Sequence, residues 1–361
     1  MAKLKKVTLQ LIAGANIATL VAMAAVGYSD RLDPAAHPLL CTIGLAMPIF
    51  LVINLAFIVF WMIAKPHYVL IPLAGFIVCY QPVRTYFPVN PFRPSTDSTL
   101  KVMSFNVWLF ASADNPDSTL ALANYMKNEH PDILCLQEAD LDNTTRPIVD
   151  SVLTPIYAHR DTSSCHGGDF MMVYSRYPIL RHENIEYSSL SNHSTAFYLN
   201  VKGDTVLVVV NHLQSIGLSP EDKTQFKDLV KQDLDTDSAR AVSHKLIDKI
   251  GMASILRAPQ ARAVADYVNR HRQYPTIVCG DFNDGPISYS RRTIGKNLTD
   301  CYREAGNGLG ISYHRGGFYV RIDNIFCNDF FTPVKCIVDN RIKASDHYPI
   351  VCWLRKKTIN Q

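Results

Sequence analysis

The stretch TIVCGDFNDGP (276–286) decides the reading of this chain. A short β-branched run at 276–279 passes through Gly280 into a carboxylate, an aromatic ring, an amide and a second carboxylate, then breaks at Gly285 and Pro286. Polar groups at the end of an apolar strand need partners, because burying them unpaired is costly. Working outward, the same pattern recurs. SFNVW (104–108) sets an amide in an apolar strand, LQE (136–138) ends in a carboxylate, and NHLQS (211–215) brings an imidazole. RIDNIF (321–326) carries a carboxylate inside a strand, and SDHYP (345–349) places an Asp–His pair before the last one. These strand ends deliver Asn106, Glu138, His212, Asp281 with Asn283, Asp323, and Asp346 with His347. Each is weak evidence alone; arriving together they point to one shared site. Carboxylates and amides, with no thiolate or His pair at zinc spacing, favour a hard cation such as Mg2+ or Mn2+.

Around these motifs the chain alternates short Val/Ile-rich runs with helical patterns. Strands are expected at 101–107, 132–137, 170–174, 205–211, 276–279, 321–327 and 349–354, and helices at 118–129, within 221–250 and at 259–272. The strands are short and Val/Ile-rich, as when both faces are covered, so a layered α/β domain is predicted.

The ordered set SFNVW, LQE, NHLQS, GDFND, RIDNIF and SDHYP resembles the endonuclease/exonuclease/phosphatase superfamily over about residues 100 to 355. That resemblance implies an α/β fold, a four-layered sandwich of two mixed sheets between helices, and a metal-dependent phosphoesterase. It implies that Glu138 is the principal ligand of Mg2+ (or Mn2+), with Asn106 and Asp346 beside it. It further implies that Asp281 orients or deprotonates the attacking water and that Asn283 donates to the phosphate. His347 would contact the phosphate with Asp323 fixing its ring, and His212 would lie near the leaving group. Arg176, in YSRYP (174–178), resembles a family segment and is open to either a phosphate contact or a structural role. Asp284 reads as a turn cap, Arg257 and Gln260 as structural, and Asp169 has no assigned role. His159, His166, His193 and His314 lie in polar stretches and are expected on the surface or in loops.

The N-terminal part is of another kind. Residues 9–27 and 38–64 are apolar runs long enough to cross a bilayer, and 68–83 approaches a minimal third span. A cleaved leader ending near Ala24 is the competing reading of the first run. The prolines from Pro82 to Pro94 and the polar residues Ser95 to Ser98 are expected to form an extended linker without helix. The division is therefore a membrane region at 1–83, a linker at 84–99 and a catalytic domain at 100–361. Lys3, Lys5 and Lys6 keep the terminus cytoplasmic, so three spans predict an integral, multi-pass protein with an external or periplasmic domain.

Charge is split along the same boundary. Residues 1–99 hold seven Lys or Arg and three Asp or Glu, which leaves 29 of each sign in the remainder. A neutral domain disfavours nucleic acid as the partner, although an anchored nuclease acting on DNA or RNA stays the runner-up to a phosphate ester of a lipid or small molecule. The segment 218–256 is expected to overhang the site. A non-catalytic binding protein would lose Glu138, Asp281, Asn283 or His347, and all are present. A transporter would carry ionisable groups inside its spans, and none occurs before Lys65. The nine cysteines form no CxxC pair, and Cys135, Cys279, Cys327 and Cys352 read as small buried hydrophobes.

Overall fold

The computed structural model describes residues 2–91, 99–111, 116–165 and 168–357. The expectations at Pro94, Ser95 to Ser98 and His166 lie outside the described residues.

Among the described residues twelve strands form two sheets: β1 (Thr99–Asn106), β2 (Ile133–Gln137), β3 (His159–Ser164), β4 (Phe170–Ser175), β5 (Ile179–Asn184), β6 (Ser194–Val201), β7 (Asp204–His212), β8 (Thr276–Asp281), β9 (Thr299–Asp300), β10 (Asp323–Cys327), β11 (Phe331–Val338) and β12 (Ile350–Lys356). The first sheet runs β11-β12-β1-β2-β4-β3 and the second β5-β6-β7-β8-β10-β9. Each has one parallel pair at its centre, β1 with β2 and β7 with β8, and antiparallel neighbours outside it. Every residue of β2 and β8 is buried, which is why neither shows alternation in the sequence.

Val102, Ile133, Cys135 and Val173 of the first sheet meet Phe197, Val208, Ile277 and Cys279 of the second in one core. The outer face of the first sheet packs on Leu122 and Met126 of the helix Pro116–Glu129 and on Val149 and Leu153 of the helix Thr145–Leu153. The outer face of the second packs on Ala261, Val264 and Val268 of the helix Thr236–Arg270. Helix, sheet, sheet, helix is the four-layered sandwich expected. The helix expected to begin at Pro259 runs through it instead: Thr236–Arg270 is one helix of 35 residues with Pro259 inside it. The lost backbone hydrogen bond is outweighed locally: Ala258 and Ala261 are buried, Arg257 donates to Gln214 O, and Gln260 accepts from Gln214 N–H.

At the N-terminus, Leu4–Arg31 and Pro38–Ala64 are each long and apolar enough to cross a membrane. Leu11, Ile63 and Ile77 are 71%, 83% and 77% exposed, a surface that calls for an apolar surrounding. Between these helices Asn16, Thr19, Asn54 and Trp61 join in a buried hydrogen-bond network, so amides inside the apolar bundle are paired with each other. The third run is not one helix: Pro66–Val78 and Tyr80–Tyr86 meet at 72°. The second piece corrects the expected helix-free linker after Tyr80. Pro82 occupies its first turn, where the backbone N–H has no helical acceptor to lose.

Candidate active site

The parallel centre of each sheet aims its C-terminal ends at the same place. Asn106 pairs in register with Gln137, and His212 with Asp281. Asn106 Nδ2 donates to Glu138 Oε1 at 2.9 Å and to Asp281 Oδ2 at 3.2 Å, while its Oδ1 accepts the Trp108 N–H at 3.1 Å. One amide therefore bridges carboxylates from the two sheets. Glu138 and Asn283 each follow a strand and each has a left-handed backbone, φ 50°. Such strain in non-glycine residues is held by surrounding structure and clusters at functional sites. Asn283 N–H donates to Asp281 Oδ1 at 2.8 Å, and its Nδ2 to Leu213 O at 2.9 Å. Between them, Gly280 has φ +129°, and a Cβ there would lie 2.0 Å from Asn211 O, so only glycine lets β8 approach β7.

Two imidazoles flank Asp281. His347 Nδ1 lies 2.8 Å from Asp323 Oδ2, and its Nε2 lies 3.6 Å from Asp281 Oδ2. His212 Nδ1 lies 3.0 Å from Asp169 Oδ1, and its Nε2 faces Glu138 at 3.7 Å and Asp281 at 3.8 Å. Burial alone would lower both imidazoles. The charges of Asp323 and Asp281 outweigh it at His347, which is pushed up to about 10. Asp169, followed by Asp281 and Glu138, does the same for His212, pushed up to about 9. Burial raises Asp281, opposed by His347 and aided by the Asp323 charge. Asp346 is raised by burial and by Glu138, with the His347 charge opposing.

Glu138 and Asp346 are half-buried and line a cleft of about 480 Å3 together with Asp281, Asn283, His212 and His347. Its other wall is apolar and aromatic, with Trp108, Leu109, Phe170, Leu218, Tyr313 and Phe318. Lys223 reaches it from the helix Pro220–Lys231, whose Phe226 stacks on Phe318 at 3.9 Å; this is the overhanging segment expected from the sequence. An all-oxygen donor set, in which Glu138 destabilises the charge on Asp346, fits a hard cation. Asp281, Asp323 and His347 also bring ligand atoms within 4.8 Å of one another. There the Nδ1 of His347 is already bonded to Asp323, which leaves its Nε2 facing Asp281.

Arg176 is not part of the site. Ser175 pairs with Ile133 at the start of β2, whereas Glu138 follows its end, and Arg176 bonds Asp132 at 3.1 Å at that far edge. The antiparallel turn of β4 against β2 sends it there. Asp284 caps Gly285 as expected and also accepts from Arg257 and Ser290. The sequence reading missed the support behind His212. Asp169 is buried between His212 and His193, and His193 Nε2 meets Ser163 Oγ at 3.0 Å, so His193 is interior rather than on the surface. No spacing signals this, because Asp169 and His193 lie in separate connections and His212 ends β7.

The fold agrees with the comparisons to known proteins. The profile described as Endonuclease/Exonuclease/phosphatase family matches residues 103–347, more than half of the chain. The chain belongs to this family. Residues 9–86 match a domain of unknown function, DUF8431. No curated protein matches the chain. Among solved structures, truncated Caenorhabditis elegans TDP2 is 17% identical with a TM-score of 0.51, covering 71% of this chain and 97% of that one. The human Nocturnin catalytic domain with bound sulfate is 17% identical, TM-score 0.52, covering 72% and 94%. A family protein from Bacteroides thetaiotaomicron is 16% identical, TM-score 0.52, covering 73% and 100%. At these identities the likeness establishes the fold.

Proposed function

We propose that this family member is a membrane-anchored phosphoesterase that hydrolyses a phosphodiester or phosphomonoester by attack of an activated water, with Mg2+ or Mn2+ as cofactor. The observation that carries this reading is Asp281, held by Asn106 and Asn283 N–H and faced from two sides by imidazoles. Glu138 and Asp346, beside Asn106, would hold the cation, which when bound polarises a phosphoryl oxygen and neutralises charge on the leaving oxygen. Asp281 orients the water and takes its proton. Asn283 donates to a non-bridging oxygen with the Nδ2 proton not used by Leu213. His347, kept cationic by Asp323, stabilises negative charge on the phosphoryl group. His212 stands near the leaving oxygen as a proton donor. Positioned charge and an aligned water are what phosphoryl transfer needs most.

The cleft supports a small or lipid phosphate ester over a polymer. Its apolar wall suits an acyl or aromatic flank, and among the described residues Lys223 is its one lining Lys or Arg. A nucleic acid groove would track many phosphates with many cations. The path of the N-terminal region supports a domain opposite the basic terminus. Met47, Cys79 and Ile287 share one cluster with Met23 and Val26, while Trp61 packs on Tyr68 at the other end. The chain thus leaves the domain after Met47 and returns to it by Cys79, which places Lys65 and the N-terminal lysines at the distal end.

The full chain in detergent is to be assayed on a bis-aryl phosphodiester, an inositol phosphate, sphingomyelin and plasmid DNA, with Mg2+ or EDTA. Metal-dependent cleavage of one of the first three is expected. Cleavage confined to DNA would transfer the reading to an anchored nuclease. Folded protein inert on all four would favour the non-catalytic binding role.

A further inference from the structure

A second cleft, about 960 Å3, lies where the apolar helices meet the α/β domain and shares no lining residue with the first. Its membrane-side lip is made by Gly27, Gln81 and Pro82, at the ends of the first helix and the bent third run. Its lining cations are Arg31, Arg291, Arg292, Lys296, Arg303 and Lys357, against the carboxylates Asp30, Asp300 and Glu304. This excess of positive charge is concentrated at the depth where spans end, in a chain whose α/β domain is otherwise balanced.

Two buried groups in it are incompletely paired. Arg291 is 7% exposed; one end of its guanidinium pairs with Asp300, and its Nε has no hydrogen-bond partner. Asp30 Oδ1 is buried and likewise without one, while its Oδ2 lies 4.0 Å from Arg292. Burial first, and then the Arg321 charge, hold Arg291 down to about 9, with Asp30 only partly opposing. A buried cation crowded by other cations is stabilised by an added anion. A buried acceptor beside it calls for a donor on the same ligand.

We propose that this junction cleft binds the phosphate of an anionic lipid headgroup, with Arg291 and its neighbouring cations facing the phosphate and Asp30 accepting from a headgroup hydroxyl. Basic pockets at the ends of spans are suited to such headgroups, and the lip at Gly27 and Pro82 gives the acyl chains an exit along the helices. The site serves binding and is separate from turnover, so its test does not depend on the hydrolytic reading.

The test is thermal unfolding of the full chain in neutral detergent with added phosphatidylglycerol, phosphatidylcholine, or glycerol 3-phosphate. Phosphatidylglycerol is expected to raise the midpoint by several degrees and phosphatidylcholine not to. The double variant Lys296→Gln/Arg303→Gln should weaken the apparent affinity for phosphatidylglycerol at least fivefold. A control of equal charge change at exposed sites, Lys127→Gln/Lys231→Gln, should leave it unchanged. Arg291→Gln should remove the shift if that variant folds; the double variant carries the test if it does not. Equal shifts by both lipids, or equal losses in control and double variant, would overturn the proposal. An equal, variant-sensitive shift with glycerol 3-phosphate would overturn the lipid source and reassign the cleft to a soluble phosphate.

Discussion

His347 and His212 face the same oxygen of Asp281 at 3.6 Å and 3.8 Å, yet they are backed differently. Behind His347 stands one carboxylate, Asp323, whose other oxygen is buried without a hydrogen-bond partner. Behind His212 stands a chain: Asp169 is shared with His193, which meets Ser163, which in turn joins Thr195 and Asn184. The difference separates two design solutions. The His347 side concentrates its electrostatics in a single pair. The His212 side spreads them through a network that also ties β3, β5 and β6 together, so damage there should appear in stability as well as in rate.

That contrast can be broken in order of expected effect. His347→Ala should lower kcat by about 1000-fold or more, since it removes both the phosphate contact and the partner of Asp323. A steady-state loss below tenfold would remove His347 from the chemistry. Asp323→Asn should lower kcat by about 100-fold and destabilise the fold less than Asp169→Asn does, because it removes the charge partner of one imidazole rather than the acceptor of two. Asp169→Asn should lower kcat less, by about tenfold, and destabilise the fold by about 1–3 kcal/mol, because two imidazoles lose their acceptor. Denaturation of the two Asp variants side by side checks the asymmetry; equal destabilisation would erase it.

A pH measurement sharpens the same comparison. His347 is raised when folded, from an ordinary 6.5 to about 10. In EDTA its contribution to stability is therefore fully present below about 6.5 and lost as pH rises through about 10. The stability difference between wild type and His347→Gln in EDTA should shrink across that window. A difference that is constant over it would contradict the pairing with Asp323. The smallest effect is expected at His193→Ala: turnover within about threefold, and stability lower by about 1 kcal/mol.

The two dyads were also unequally legible. RIDNIF and SDHYP announce Asp323 and His347 because each stands at the end of, or just before, a strand whose apolar neighbours make it conspicuous. Asn106, Glu138, Asp281 and Asn283 were visible for the same reason. Asp169 and His193 lie in connections where polar residues are unremarkable, and only the packing of one sheet on the other brings β3 and β4 against β6 behind His212. Arg176 shows the opposite error: a segment that resembles a family motif is carried by strand direction to the far edge. Strands β3 and β5 escaped prediction because, as a sheet edge, they alternate polar residues and lack an apolar run. Pro259 and Pro82 misled because breaker residues were read without the tertiary contacts and helix positions that accommodate them.

If Glu138 and its neighbours hold a cation required for hydrolysis, turnover must follow the supply of metal, and a Mg2+ titration reads that dependence. The full chain and Glu138→Gln are compared on a bis-aryl phosphodiester across Mg2+ concentrations, with an EDTA control. No turnover is expected in EDTA and, for the variant, a Mg2+ requirement raised at least about tenfold, because a carboxylate ligand is neutralised. Undiminished turnover in EDTA, or a Mg2+ dependence in the variant identical to that of the wild type, would contradict the cation site.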